Sequence, residues 1–246
     1  MKNYVLALLL VLAGCAGTGG AVDKTKMAEG YYMKGLSYLQ DKNYELALVE
    51  FQRSINTDSK NKQSYYALGL VNDMQGKLKE AENFYKESID IDSDFSEAHN
   101  AIGVVYFKQQ KWKEALKSFR KALDNKLYTT PHIPYLNMGD LSMAQKDYER
   151  AAAAYLESKR YVNQDIAILK LGTALLEAGR VKEAIAELEE GTALNQKNAG
   201  MWYTLALARL KDGNKKAAIA DFKKAADLAP GTEISLKAND YLKTLR

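Results

Sequence analysis

Small and bulky apolar positions recur along this chain at one fixed phase. Rows can be started at Gly35, Gly69, Gly103, Gly139, Gly172 and Ala206, which stand 34, 34, 36, 33 and 34 residues apart. Twelve residues into every row there is an alanine: Ala47, Ala81, Ala115, Ala151, Ala184 and Ala218. Four further on each row has a bulky residue (Phe51, Tyr85, Phe119, Tyr155, Leu188, Phe222). Three beyond that comes a small one (Ser54, Ser88, Ala122, Ser158, Gly191, Ala225). A pattern kept in every row is an internal repeat, and a period of this length predicts one pair of helices per row. Turns inside the pairs are predicted at Asp41-Lys42-Asn43, Gln75-Gly76, Gln109-Gln110, Lys146-Asp147, Ala178-Gly179 and Asp212-Gly213. Three of them hold glycine where a helix end favours a left-handed residue.

The pattern resembles the tetratricopeptide repeat, a helix-turn-helix unit of about 34 residues. The resemblance implies an all-α, right-handed superhelix of six repeats, near 28–61, 62–95, 96–129, 132–165, 165–198 and 199–232. Small residues such as Gly35 would let the paired helices approach, with the bulky residue filling the space between neighbouring pairs. Tyr31, Tyr65, Tyr135 and Trp202 occupy the large aromatic position of the repeat, whereas His99 and Ile168 depart from it. Pro230 supplies a terminating proline in the last repeat. After Gly231, the residues Ile234, Ala238, Tyr241 and Leu245 follow at spacings of four, three and four, one apolar helix face. Segment 233–246 is therefore expected to cap the last hydrophobic face of the array, which would otherwise stay uncovered.

Ahead of the repeats, Lys2 precedes a short apolar run, Tyr4 to Ala13. The run is about half of the ~20 residues a membrane-spanning helix needs, so residues 1–14 are expected to be a signal peptide. Leu12-Ala13-Gly14-Cys15 resembles the bacterial lipobox. That resemblance implies diacylation of the Cys15 thiol, cleavage of the bond before it and acylation of the new amine. Several buried acyl chains anchor durably where one does so marginally. Ala16, standing where an aspartate would retain such a lipoprotein at the inner membrane, implies the periplasmic face of the outer membrane. Cys15 is the sole cysteine, so no internal disulfide can form. Residues 15–26 are small, glycine-containing and aperiodic, and are expected to be a lipidated flexible tether to a repeat domain spanning 27–246.

Charge removes some functions. Thirty-five basic and 31 acidic residues give a net +4 with no clustered basic stripe, which excludes a nucleic-acid footprint. His99 and His132 have no acidic or cysteine partners at ligand spacing. Ser59-x-x-Lys62 and Ser118-x-x-Lys121 lack the companion motifs that give S-x-x-K catalytic meaning. Gly17-x-Gly19 follows no strand and makes no phosphate loop. No catalytic residue, metal, cofactor or small-molecule substrate is expected.

The first helices of such repeats line a concave groove. Its residues are expected to be Tyr32, Leu36 and Leu39, then Tyr66, Leu70 and Met74, then Asn100, Val104 and Phe107. The later repeats add Leu136, Met143, Leu169, Leu176, Tyr203, Leu207 and Leu210, interrupted by Asp140 and Thr173. Apolar side chains with tyrosine among them suit an amphipathic helix or an extended apolar peptide. Some of these residues are expected to pack internally instead. Chaperone-binding relatives use Lys and Asn as a carboxylate clamp; here Tyr32 and Leu36 stand at those positions.

The interval between repeats three and four is two residues longer, at Asn125 to Gly139, and holds Pro131 and Pro134. It predicts an extended entry with a helix restarting near Pro134. Lipobox, tether, about six repeats, and Leu127-Tyr128 ahead of Asn137-Met138-Gly139 together resemble the lipoprotein pilotins of type IV pilus secretins, the PilF, PilW and Tgl group. The resemblance implies a non-enzymatic outer-membrane lipoprotein that binds a secretin subunit in its groove and promotes secretin localisation and multimerisation. The alternative is an adaptor or scaffold lipoprotein in outer-membrane barrel insertion, polysaccharide export or peptidoglycan remodelling.

Overall fold

The computed structural model describes residues 23–162 and 164–245. Signal segment, Cys15 and most of the tether lie outside the described residues. The described residues form helices only: α1 (Lys24–Gln40), α2 (Tyr44–Thr57), α3 (Lys62–Met74), α4 (Leu78–Ile91), α5 (Ser96–Lys108), α6 (Trp112–Asp124) and α7 (His132–Ala144). They continue with α8 (Tyr148–Tyr161), α9 (Asp165–Glu177), α10 (Val181–Leu194), α11 (Ala199–Lys211), α12 (Lys215–Leu228) and α13 (Glu233–Thr244). Odd and even helices up to α12 pair as antiparallel hairpins, each hairpin packs on the next, and α13 closes the end. The array is a tetratricopeptide-repeat superhelix of six repeats with a capping helix.

Close approach within the first five pairs depends on the missing side chain of the row-opening glycine. A Cβ built on Gly35 would stand 2.5 Å from the Phe51 ring, and one on Gly69 would stand 2.5 Å from Tyr85. The bulky residue thus lies over the glycine of its own pair as well as reaching the next. Phe51, for example, shares a buried cluster with Ala67, Leu68 and Val71 of α3. The small position further along has a second use. The hydroxyls of Ser54, Ser88 and Ser158 donate to the carbonyls of Ala28, Lys62 and His132, tying each second helix to the start of its first.

Every first helix ends in the same backbone motif. The N–H groups of Asn43, Lys77, Lys111, Asp147, Arg180 and Asn214 donate to carbonyls five residues back, at 2.8 or 2.9 Å. This closure needs a left-handed residue just before the donor. Glycine supplies it at Gly76, Gly179 and Gly213, but Lys42, Gln110 and Lys146 hold φ of 58°, 59° and 61°. A side chain in that region costs about 1 kcal/mol, part of which glycine loses again through unfolded-state entropy. Replacing Lys42, Gln110 and Lys146 together by glycine is therefore expected to raise the melting temperature by roughly 2–8 °C, measured by calorimetry.

One boundary differs from the sequence expectation. Helix α1 begins at Lys24, inside the segment expected to be tether, because the Asp23 side chain accepts the Lys26 N–H and caps it. Helix α7 restarts at His132, just ahead of Pro134. Pro131 has helical angles just before it, and Pro134 is buried in the first turn, where a missing N–H costs nothing. His99, which breaks the aromatic pattern, takes up the polar half of the aromatic's task. Its ring Nε2 lies 2.8 Å from the carbonyl of Ser93, six residues back. Trp202, at the same place in its repeat, donates Nε1–H to the carbonyl of Gln196, also six back, at 2.9 Å.

Candidate functional site: the first-helix groove

Of the groove residues expected in the first three repeats, six also serve the interior. Tyr32, Leu36 and Leu39 pack on the cluster around Phe51, and Tyr66 packs on the one around Tyr85. Val104 and Phe107 pack on the cluster around Phe119. Phe107 is further fixed by Trp112, with ring centroids 5.5 Å apart. In the later repeats the inward commitment is complete or nearly so: Leu136, Met143 and Leu169 join one cluster and Leu176 is itself buried. Tyr203, Leu207 and Leu210 join the last cluster, and Tyr203 meets Tyr241 of the cap edge-on at 6.4 Å. The apolar side chains left uncommitted are Leu70, half-buried, and Met74, 57% exposed, both on α3.

Polar groups on the first helices are largely satisfied among themselves. Lys108 on α5 donates to both oxygens of Asp73 on α3 at 2.7 Å. Asn137 on α7 donates to Asn100 on α5 at 2.8 Å. Asp140 on α7 receives Lys170 of α9 and the hydroxyl of Tyr155, each at 2.6 Å. Lys211 on α11 donates to the Leu176 carbonyl at 3.0 Å. These links join successive first helices and set their spacing. They also leave few unpaired charges to recognise a ligand, so recognition falls to apolar and aromatic surface.

That surface centres on Tyr66. Its ring lies 5.7 Å from Tyr85 and 5.4 Å, edge-on, from Phe95. Burial first, then the nearby Glu97, Tyr128 and Tyr32, push its hydroxyl up to about 12, so it stays protonated and able to donate. Burial likewise raises Tyr128, with a smaller push from Glu97. Tyr128 comes from the insertion between α6 and α7, where Leu127 beside it is 87% exposed. The sequence predicts an extended entry here and places neither Tyr128 nor Glu97 among the groove residues. The longer interval and the Leu127-Tyr128 pair mark the insertion without saying where it folds.

Among the described residues no group of three or more His, Cys, Asp or Glu is placed to hold a metal ion, and no helix is long and apolar enough to cross a membrane. Both histidines lie at the beginning of first helices, apart from one another.

A regular array of paired helices with an aromatic and apolar inner surface defines the class: this is a tetratricopeptide-repeat protein. Tetratricopeptide-repeat family models match residues 28–61, 96–126 and 169–232, and a TPR-repeat model matches 74–110. Among solved structures, the chain is similar to pilF of Pseudomonas aeruginosa, with a TM-score of 0.76 at 21% identity over 90% of this chain and 99% of that one. It is similar to PilW, described as a widely conserved type IV pilus biogenesis factor, with a TM-score of 0.75 at 19% identity over 89% and 98%. YrrB, described as a TPR protein with an unusual peptide-binding site, gives 0.63 at 21% identity over 77% and 97%. Cilia- and flagella-associated protein 70 of Homo sapiens is 33% identical over 92 residues, 37% of this chain. The chain spans only 8% of that relative's length. Superkiller complex protein 3 of Mus musculus is 28% identical over 93% of this chain, which spans 16% of it.

Proposed function

We propose that this protein is a non-enzymatic pilotin: an outer-membrane lipoprotein, anchored through acylated Cys15, that binds a secretin subunit and promotes its localisation and multimerisation for type IV pilus assembly. The observation that carries the binding half is the distribution of free surface in the groove. Where Asp73, Asp140 and Asn100 are paired with neighbouring repeats, Leu70, Met74 and the rim of Tyr66 and Tyr128 remain open. A short apolar segment with a few hydrogen-bond acceptors is the ligand this surface suits, an amphipathic helix or an extended strand of a subunit that has yet to assemble. The likeness in fold to two pilus-biogenesis proteins over nearly the whole chain supports the choice of partner. The lipobox-like Leu12-Ala13-Gly14-Cys15 supports the destination.

The lipid is separable from the groove by mutation. Cells producing Cys15→Ala are expected to retain complexes of this protein with secretin subunits but to lose outer-membrane multimers, scored by membrane fractionation and detergent-resistant bands. Normal outer-membrane multimers in that strain would remove the lipid from the mechanism.

A further inference from the structure

The second helices form the opposite face of the superhelix, and shallow clefts run between them. One of them, about 490 Å³, lies between α6 and α8. Met138 and Leu141 of α7 form its floor, with Leu116 on one wall and Ala153 and Ala154 on the other. Its origin is legible in the chain. Residues 151–154 are four successive alanines, so between Arg150 and Glu157 the α8 wall of the cleft carries only methyl groups, from Ala153 and Ala154. The insertion precedes α7, and α6 and α7 are the least closely packed of the consecutive helices.

Two comparable clefts have their charges spent. Between α2 and α4, Arg53 is held by Glu50 at 3.0 Å. Between α8 and α10, Arg180 is held by Glu149 and Glu183 at 3.0 and 2.6 Å, and Glu187 by Lys159 at 2.7 Å. The α6–α8 cleft differs. Arg120 on its rim has no carboxylate partner among the described residues, nor have Lys113 and Lys117 on the same helix. Arg150 on the opposite rim reaches only Asp147, at 3.3 Å, and is 81% exposed. Glu157, the one acidic residue of the lining, is already paired with Arg160.

We propose that the α6–α8 cleft is a second docking site, independent of the first-helix groove. Its occupant is a partner-protein segment that carries apolar side chains beside carboxylates. The apolar side chains enter over Met138 and Leu141, and the carboxylates face Arg120 and Arg150. The volume lies within the ~300–1,000 Å³ range of binding pockets, and a recess between two helices admits a single segment in preference to a flat bilayer surface.

The test uses a fluorescent, synthetic amphipathic peptide of about 18 residues, five turns of helix, built from Leu, Ala and Glu, with a Leu, Ala and Lys counterpart. Each is titrated with the purified protein by fluorescence anisotropy at low and high salt. The acidic peptide is expected to bind, more weakly at high salt, and the basic one not. Arg120→Glu should weaken binding about tenfold or more, as loss of a hydrogen bond to a charged group does. Ala153→Phe, at an exposed position where the fold is not at stake, should block the cleft to a similar degree, while Leu70→Glu leaves binding unchanged. Equal affinity in Arg120→Glu and Ala153→Phe, loss in Leu70→Glu instead, or no binding by the acidic peptide would each overturn the proposal. So would a result in which Arg120→Glu weakens sedimentation with phosphatidylglycerol vesicles and leaves peptide binding intact.

Discussion

Replacing Gly139 with valine is expected to lower the melting temperature by about 10 °C, the effect of roughly 3 kcal/mol of overpacking in a chain of this size. A Cβ at this position would stand 2.3 Å from Cε1 of Tyr155 and within 2.7 Å of two further ring atoms. The ring is buried and cannot swing away freely, because its hydroxyl donates to Asp140, which also holds Lys170 of the next repeat. Displacing it would break both bonds and loosen the joint between repeats four and five, so the loss should exceed a purely local one. Stability of such arrays is close to a sum over repeats and interfaces, which makes a joint in the middle an effective place to weaken them. Repeat six shows the escape route: it carries Ala206 where the others carry glycine, opposite Phe222, whose ring stacks on Tyr241 and has no hydroxyl to anchor it. Gly30→Val is the control, since nothing lies within 4 Å of a Cβ there. A fall for Gly139→Val no larger than for Gly30→Val would mean that Tyr155 yields as readily as Phe222.

Leu70→Glu is expected to abolish capture of secretin subunits, with the melting temperature within about 2 °C of the parent, as surface substitutions usually cost under ~0.5 kcal/mol. Leu70 is half-buried on α3 but belongs to none of the buried clusters, so a charge there meets the ligand and spares the core. A buried carboxylate facing an apolar segment has no partner and costs several kcal/mol, enough to lose binding outright. Phe107→Glu, which looks equivalent from sequence, is a poor probe. Phe107 packs on Trp112 and on the cluster around Phe119, so its replacement should lower stability and capture together. Pull-down of secretin subunits with each variant, alongside thermal unfolding, separates the two cases. Capture retained by folded Leu70→Glu would move the site away from α3.

The contrast between Leu70 and Phe107 shows where sequence reading succeeds and stops. The repeat is legible because its determinants are local and reiterated: a small residue opposite a bulky one, with alanine and a second small residue at fixed offsets, six times at one phase. Direction is not. Tyr32, Leu36 and Phe107 stand at groove offsets, yet each also reaches a buried cluster, because a first helix is sandwiched between its partner and the next pair. Periodicity assigns a residue to a face, and only the packing of three helices decides how much of it is left open. The place of Tyr128 beside the groove is not legible for another reason. Tyr128 belongs to an insertion with no periodicity, and its approach to Tyr66 and Glu97 is a contact across more than 30 positions. The early start of α1 turned on a single cap, the Asp23 side chain, where composition alone suggested a loose segment.

Site-specific photocrosslinking in living cells tests the groove assignment most directly. A benzophenone side chain is placed at Met74, at Leu70 and, on the opposite face, at Lys79, and the secretin subunit is probed for adducts. Adducts from Met74 and Leu70 that disappear once detergent-resistant multimers have formed, with none from Lys79, are the expected result. Secretin adducts from Lys79 alone, or none from any position while multimers still depend on this protein, would contradict a subunit held in the first-helix groove.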